Sequence, residues 1–512
     1  MYEKKKYNLL LINPKQKYKH YATQYEMGKL LGKSNVMSPL SLAIIAAYTP
    51  ENYNIKIVDE ELEILSYDKL PDIVGITTLA ISIERAYEIA DFYKSKGIPV
   101  ILGGPYATYM PQEALLHANS IVVGEAEMLW EQCLIDFESK ALKPLYQNFV
   151  SINFKTIKIP RWDLINTKKI LSIGVQVTRG CPYKCEFCLV SKMFGNKMRF
   201  REISNVVEEI KSLPVKKVFF VDDNLTINKK YAHNLMQEIK NLGITWTCQS
   251  SIDIGFEEEL LKEMEEAGCQ NILIGFETLN PSSLEEANKH HNNIQNYSKA
   301  IDNIHKAGIQ VYSSFVVGFD HDTLNDFDII YNFADENNLP LAMISLLGAS
   351  PGTELYARLN SENRWYGSPL EWRGGVFPVM HYKNFSQKEL VEKFYLTLDK
   401  VYNYKSLRKR SLALFSKGYF TRQGMSNDTT FFFKMKTFLL ILKIFLLSLD
   451  REKRMLFIDL FRLFRNKQLA VDKFVVFLLT AEGIIKHIRK LKIIKDKLMP
   501  DIEKYDSLKQ LS

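Results

Sequence analysis

The sequence predicts an α/β protein: two successive parallel-sheet domains, then a helical C-terminal region. Three observations predict it. Short apolar runs alternate with helical patterns up to about residue 145. After an irregular stretch the alternation resumes, from about residue 170 to 350. Beyond about residue 354 it stops, and helical patterns rich in Leu, Phe, Lys and Arg follow. The 512 residues are 46% hydrophobic and 25% charged, a globular balance that excludes a disordered or collagen-like chain. Six cysteines are too few for a disulfide scaffold and point to a reducing compartment, the cytoplasm. The basic start is followed by only a short apolar run before Asn13 and Pro14, so no signal peptide is expected.

In the first domain, residues 1–150, YNLLLIN, NIKIVDE, DIVGITT, VILGG and SIVVGE read as five buried strands. Helical stretches such as SPLSLAIIAAY and IERAYEIADFYKSKG separate them. Strand alternating with helix implies right-handed crossovers and a Rossmann-like parallel sheet, whose strand ends form a ligand crevice. Residues 151–169 read as a linker. In the second domain, residues 170–353, ILSIGVQVT, KKVFFVDD, WTCQSSID, NILIGFET, VYSSFVVGF and LAMISLLGA read as six strands. Six β/α units predict a partial (β/α)6 barrel, with active residues at the C-terminal strand ends. Residues 354–512 read as a capping segment and a helical tail. From residue 401 to 512 there are 24 Lys+Arg against 10 Asp+Glu, an excess of +14; the rest of the chain holds 43 against 49, or −6. A basic tail on a mildly acidic body points to an anionic surface.

The strongest chemical signal is Cys181-Pro-Tyr-Lys-Cys185-Glu-Phe-Cys188, directly after the first strand of the second domain. Three thiolates in eight residues can wrap one face of a metal centre. A structural zinc site needs four ligands, and the next cysteine, Cys248, is far along the chain with no histidine near it. Three thiolates suit a 4Fe–4S cluster with one iron open to a ligand. In the first domain, Gly103, Gly104 and Gly124 follow buried strands. Lacking a Cβ, they would let backbone lie flat against a large planar ligand, or they would only make tight turns.

These motifs resemble the radical S-adenosylmethionine enzymes that carry a cobalamin-binding domain, in the hopanoid-methylase-like branch. The layout covers about residues 5 to 405: PRWDLI, TRGCPYKCEFC, FGNKMRFR, FFVDDN, GFET, SFVVGFDHDT, PGTELYARL and NFSQKEL occur in that order. The resemblance implies that Cys181, Cys185 and Cys188 hold the cluster, and that S-adenosylmethionine binds its open iron. Cleavage there gives a 5′-deoxyadenosyl radical that abstracts hydrogen from an unactivated carbon. It further implies that Phe187 packs near adenine and that Asp222, Asp223 and Asn224 meet the methionyl amine. Glu277, in Gly275-Phe276-Glu277, would lie near the ribose, and Val317 and Gly318 against adenine. In that last motif Ser314 replaces a Gly and His321 stands where a Glu is expected. VILGGPYAT, Pro111-Gln112-Glu113 and VVGEAE resemble a cobalamin-binding domain, which implies binding around Thr77, Gly103, Gly104, Gly124 and Glu125. No Asp-x-His-x-x-Gly stretch is present, so no histidine stands ready to replace the lower base of cobalamin.

The implied activity is C-methylation of a lipid or other hydrophobic substrate, with a reducing partner such as flavodoxin or ferredoxin. A radical cyclase or carbon–carbon coupling enzyme that does not use methylcobalamin would fit the same barrel. A non-catalytic iron–sulfur or membrane-binding protein would fit the cysteines and the tail. The tail, FFFKMKTFLLILKIFLLSLDREKRMLFIDLFRLFRNK, reads either as a helical subdomain or as an interfacial helix on an anionic membrane. Its basic residues interleave with Leu, Phe and Ile, which argues against nucleic acid. Cys133 and Cys269 fall on helical patterns and Cys248 on a barrel strand; all three read as core residues. His290-His291 lacks metal-ligand spacing and reads as a solvated loop.

Overall fold

A computed structural model describes residues 5–23, 25–34, 37, 39–148, 150–422 and 431–508. The basic start at residues 1–4, Ser38 of the first expected helix, and the side chains of residues 431–434 (Lys434 of the tail among them) and 508 lie outside it. The chain divides into two compact units: Met1–Lys19, Met37–Leu213 and Gly348–Gly374 form the first; His20–Val36, Pro214–Leu347 and Gly375–Ser512 form the second.

The first unit is built on a parallel six-stranded sheet. Its strands are β1 (Tyr7–Asn13), β2 (Tyr53–Asp59), β3 (Ile73–Thr77), β4 (Val100–Gly103), β5 (Ser120–Val123) and β6 (Leu145–Gln147). They lie in the order β2-β1-β3-β4-β5-β6. Helices cover the sheet, so the strands are continuous apolar runs buried on both faces. Ile12, Val74, Ile76 and Leu102 pack with Ile83, Ala86, Ile89, Ala90 and Tyr93 of the helix Ile83–Ser95 in one core. Chain order reverses between β1 and β3, which places a ligand crevice at the carboxyl ends of those strands. The sequence reading missed β6: its three residues alternate exposed, buried, exposed and make no apolar run.

The first unit also holds β7 (Ile173–Val175), the opening strand of the second alternation, and a two-residue antiparallel pair, β8 (Thr178–Arg179) with β9 (Arg199–Phe200). In the second unit, β10 (Lys217–Phe220), β11 (Thr245–Ser250), β12 (Cys269–Glu277), β13 (Gln310–Val317) and β14 (Ala342–Leu346) are each parallel to the next. That is the consecutive parallel order of a barrel. Cys269 corrects the sequence reading: it opens β12 rather than lying on a helix. The preceding helix ends at Glu266, and Gly268 takes φ +97°, a left-handed turn that a helix cannot continue through. Cys133 lies on the helix Trp130–Glu138, and both it and Cys248 are buried as expected.

Helices complete the second unit. Ser386 and Glu389 of NFSQKEL form a reciprocal capping box that starts the helix Gln387–Val401. The long helix Val471–Leu508 lies against the short helix Tyr25–Leu30. A Cβ at Gly483 would come within 2.7 Å of the Met27 backbone N, and Lys490 Nζ pairs with Glu26 at 2.8 Å. Leu456, Phe457, Leu460, Phe474, Phe477 and Leu478 are buried. Residues from about 451 onward therefore behave as a helical subdomain. No helix among the described residues is long and apolar enough to cross a membrane.

Candidate functional site

The cysteine loop leaves and re-enters through the β8–β9 pair. Gly180 takes φ +96°, and a Cβ there would meet the Lys197 carbonyl oxygen at 2.8 Å, so only glycine fits this neck. Inside the loop, the Cys188 backbone N–H donates to the Cys185 carbonyl at 3.0 Å. Cys181, Cys185 and Cys188 are all partly exposed, whereas Cys133, Cys248 and Cys269 are buried. Phe187 is half-buried between Glu186 and Cys188. Arg358, on the helix Glu354–Ser361, grips the Glu186 carboxylate with Nε at 2.6 Å and Nη2 at 2.9 Å. The Leu355 N–H donates to the Glu186 carbonyl at 3.0 Å. Three accessible thiols on one loop, fixed at its neck and along its length, suit the donor set of an iron–sulfur cluster. Among the described residues, no three Cys, His, Asp or Glu side chains gather as tightly as one metal ion requires.

A buried charge network joins the neck of this loop to the loop after β5. Arg179 Nη1 meets Glu125 at 2.5 Å and Glu127 at 2.9 Å; Arg199 Nη1 meets the other Glu125 oxygen at 2.8 Å. The Arg179 guanidinium also stacks on Phe154 and Phe194. Burial alone would raise the Glu125 carboxyl. Arg199 and Arg179 outweigh it and hold the group below the usual carboxylate range. Glu125 is thus an internal ion-pair partner, a role the motif reading did not foresee.

The crevice loops of the first sheet are tied together by Thr78 and Thr108. Thr78 Oγ1 donates to the Gly103 carbonyl at 2.8 Å and accepts from the Ala107 N–H at 3.0 Å. Thr108 Oγ1 accepts from the Gly124 N–H at 3.0 Å. Thr77, half-buried, ends β3. The three glycines differ. A Cβ at Gly103 or Gly124 would meet nothing closer than 3.9 Å or 4.0 Å. At Gly104, φ +99°, it would strike Thr78 O at 2.9 Å and Thr77 Oγ1 at 3.1 Å. Gly104 therefore serves the protein's own turn; Gly124, at φ +83°, is also a left-handed turn residue, and the space beside Gly103 and Gly124 is open.

In the second unit, the residues expected at S-adenosylmethionine sit at strand ends. After β10, Asp222 and Asn224 are buried, and Asn224 Nδ2 donates to Ser251 Oγ at 2.9 Å. Asp223 has no ion-pair partner among the described residues, and burial pushes its carboxyl up to about 6. A site with an unmatched acid suits an ammonium group. Glu277 ends β12 at φ +64° and pairs with Lys289, whose Nζ also donates to the Gly275 carbonyl at 2.9 Å. A Cβ at Gly275 would occupy the place of the Glu277 carboxylate, which explains the Gly-x-Glu spacing. After β13, Val317 is buried and Gly318 takes φ +128° beneath the Tyr382 ring. Asp322 Oδ2 accepts from the Gly318 N–H at 2.9 Å and the Phe319 N–H at 3.1 Å. The carboxylate of this turn is Asp322, one position past His321. His290 is exposed and His291 half-buried, its imidazole lowered to about 4 by burial and by Lys289.

Two family models match the chain: the B12 binding domain over residues 34–134 and the radical SAM superfamily over residues 175–334. The bacteriochlorophyllide d C-12(1)-methyltransferase of Chlorobaculum tepidum is 29% identical over 80% of this chain and 90% of its own length. The C-8(2)-methyltransferase of the same organism is 34% identical over 62% of this chain and 75% of its own length. The hopanoid C-2 methylase of Rhodopseudomonas palustris is 29% identical over 64% of this chain and 65% of its own length. Among solved structures, the radical S-adenosylmethionine methyltransferase TsrM of Kitasatospora setae, with cobalamin and a [4Fe-4S] cluster bound, superposes with a TM-score of 0.58 at 14% identity, over 95% of this chain and all of that one. The cobalamin-dependent enzyme OxsB matches with a TM-score of 0.57 at 16% identity, over 99% of this chain and 81% of that one; both likenesses are of fold. With a cobalamin-type sheet, a cysteine loop and barrel strands in one chain, the protein belongs to the cobalamin-dependent radical S-adenosylmethionine methyltransferase family.

Proposed function

We propose that this enzyme methylates an unactivated carbon of a hydrophobic substrate, a lipid or a tetrapyrrole-like ring system. The observation that carries the reading is one chain holding both family domains, with relatives named for methylating bacteriochlorophyllide and hopanoid carbons. When bound, the cluster with S-adenosylmethionine supplies the hydrogen-abstracting radical, and cobalamin supplies the methyl group. The chain's own residues hold and orient. Cys181, Cys185 and Cys188 bind the cluster, and Arg358 steadies their loop through Glu186. Asp223, with Asp222 and Asn224 beside it, receives the methionyl ammonium. Phe187, Val317 and Gly318 face adenine, and Glu277 acts with Lys289 at the ribose. Thr77, Gly103 and Gly124 present flat backbone to the corrin. Gly104 keeps their turn, and Glu125 ties the crevice to the cysteine loop. The domain division we propose is 1–150, 151–169, 170–353 and 354–512.

The same reading extends to location and partners. Electrons come from a flavodoxin- or ferredoxin-type donor, and the enzyme works peripherally on the inner membrane face. Support for that location is local. Phe438, Leu439, Leu446, Leu447 and Leu449 are exposed together, with Lys436, Lys443 and Arg451 among them.

The test is anaerobic turnover with S-adenosylmethionine carrying a deuterated methyl group, offered bacteriochlorophyllide d and a hopanoid in parallel. Label in product, with 5′-deoxyadenosine and S-adenosylhomocysteine formed together, is expected. Replacing the three cysteines by Ala should abolish both coproducts. 5′-Deoxyadenosine without label transfer would replace methylation by a cyclase or coupling reaction.

A further inference from the structure

The arginines packed wholly or partly inside the first unit have partners, with one exception, the half-buried Arg373. Arg179 and Arg199 share Glu125, and Arg201 pairs with Glu209 at 2.5 Å. Arg373, in the capping segment, has none. Its Nε and Nη1 are buried without a hydrogen-bond acceptor, and no carboxylate among the described residues lies within ion-pair distance. The guanidinium lies 4.5 Å from the centre of the Trp365 ring, which meets Tyr356 edge-on at 5.2 Å. Glu113, the nearest acid acting on it, is already bound by the Tyr87 hydroxyl at 3.0 Å and the Tyr106 hydroxyl at 3.1 Å. Burial pulls the Arg373 guanidinium below its ordinary value, outweighing Tyr106, Tyr356 and Glu113. Arg373 as a whole is half-buried, with two of its three nitrogens enclosed and no acid to match them; such a cation at a crevice is placed for an anion that arrives.

Its position says where the ligand arrives. The neighbouring Gly374 sits against the Tyr18 carbonyl, in the loop after β1, and Ile81, just past β3. Gly352 of the same segment lies so close to the Tyr109 ring that a Cβ would meet it at 2.2 Å. Tyr106 and Tyr109 belong to the short helix that follows Gly103-Gly104. Arg373 is thus held beside the carboxyl ends of β1, β3 and β4, where the sheet binds its ligand.

We infer that Arg373, stacked on Trp365, is the receptor for an oxyanion, a carboxylate or phosphate, at the cobalamin-side crevice. A guanidinium braced by an indole and matched by no carboxylate can offer Nη2, its one nitrogen that is not enclosed, to either group as a charge-assisted donor. Two molecules could bring it: the phosphodiester of the cobalamin nucleotide arm, or an acidic group on the substrate. The inference rests on the proposed function only for the second source. Phosphate binding would register in a protein that transferred no methyl group, so the two can fail separately.

The test compares wild type, R373M and R373K as full-length, cluster-reconstituted protein. Melting without cobalamin comes first, as the check that both variants fold. Inorganic phosphate at constant ionic strength should then raise Tm of the cobalamin-free wild type, leave R373M unmoved and affect R373K partially. Equilibrium dialysis against hydroxocobalamin and cobinamide, which lacks the phosphodiester, distinguishes the sources. If the cofactor supplies the anion, R373M loses about tenfold or more in cobalamin affinity, about 1.4 kcal/mol, and none for cobinamide. If the substrate supplies it, both affinities hold and phosphate still stabilises the cobalamin-loaded wild type. Equal phosphate responses in wild type and R373M would overturn the inference.

Discussion

Glu277 adopts a left-handed φ of +64° that non-glycine residues rarely hold, and its pair with Lys289 keeps it there. The sequence shows Gly275 and Glu277 two apart, but Lys289 stands in no motif. Nothing in the spacing signals that a chain reversal brings it back. Asp322 was missed for a related reason: a turn fixed by hydrogen bonds to Gly318 and Phe319 tolerates a one-residue shift that a pattern does not. Asp223 carries a testable consequence. Its folded pKa of about 6 lies above the value near 3.8 of an unfolded chain. Below about pH 4 both states hold the proton and there is no cost. Between pH 4 and 6 the unfolded state ionises first, so stability falls as pH rises, by up to about 3 kcal/mol. D223N should therefore gain on wild type in Tm from pH 4 to 6.5 and run parallel above that. A difference independent of pH would show that Asp223 is not strained. Added S-adenosylmethionine should narrow the gap, because its ammonium stabilises the ionised wild type.

At the level of elements, the strands of both sheets, β6 apart, were legible because each is a short run rich in apolar and β-branched residues set between helical patterns. The pieces that hold the cysteine loop were not. β8 and β9 are two residues each, too short for any periodicity, and Arg179, Arg199 and Arg358 find their acids 54, 74 and 172 residues away. Two variants distinguish the anchors. R179M leaves Glu125 with Arg199 alone and Glu127 without its buried cation, and should cost about 3 kcal/mol or more. R358A removes a half-exposed bidentate pair and should cost about 1 kcal/mol or less. On iron content the order should narrow or reverse, because Arg358 acts between Cys185 and Cys188. The check is to measure Tm beside iron and sulfide per chain after reconstitution. If R358A retains iron as wild type does, the Glu186 grip serves packing and not the cluster.

Across the whole molecule, the +14 excess of residues 401–512 is not one surface. Part of it is spent inside the second unit on acids from before residue 401: Lys409 on Asp335, Lys417 on Asp302, Arg422 on Glu265, Lys490 on Glu26 and Lys492 on Asp399. Composition could count these charges but not say which were neutralised. Over residues 435–449 the outward surface is apolar as well as basic: Lys436 and Lys443 are exposed, and Leu447 is 75% and Leu449 98% exposed. Six large apolar side chains left in water within fifteen residues exceed the scattered exposure of ordinary surfaces and mark a contact surface. The helix there is short and carries lysines, so the membrane contact proposed above would be a shallow interfacial insertion. Nearby lysines add about 1 kcal/mol each near an anionic bilayer, a contribution that salt weakens. Co-sedimentation with phosphatidylglycerol-containing vesicles should capture the full-length protein, and phosphatidylcholine vesicles much less. L439S/L447S/L449S should lower capture at any salt, whereas K436Q/K443Q should lower it most at low salt, with Tm changed little in both because these side chains are mostly exposed. If wild type stays in the supernatant with both vesicle types, the exposed leucines cover a protein partner, and a membrane-borne substrate must reach the enzyme another way.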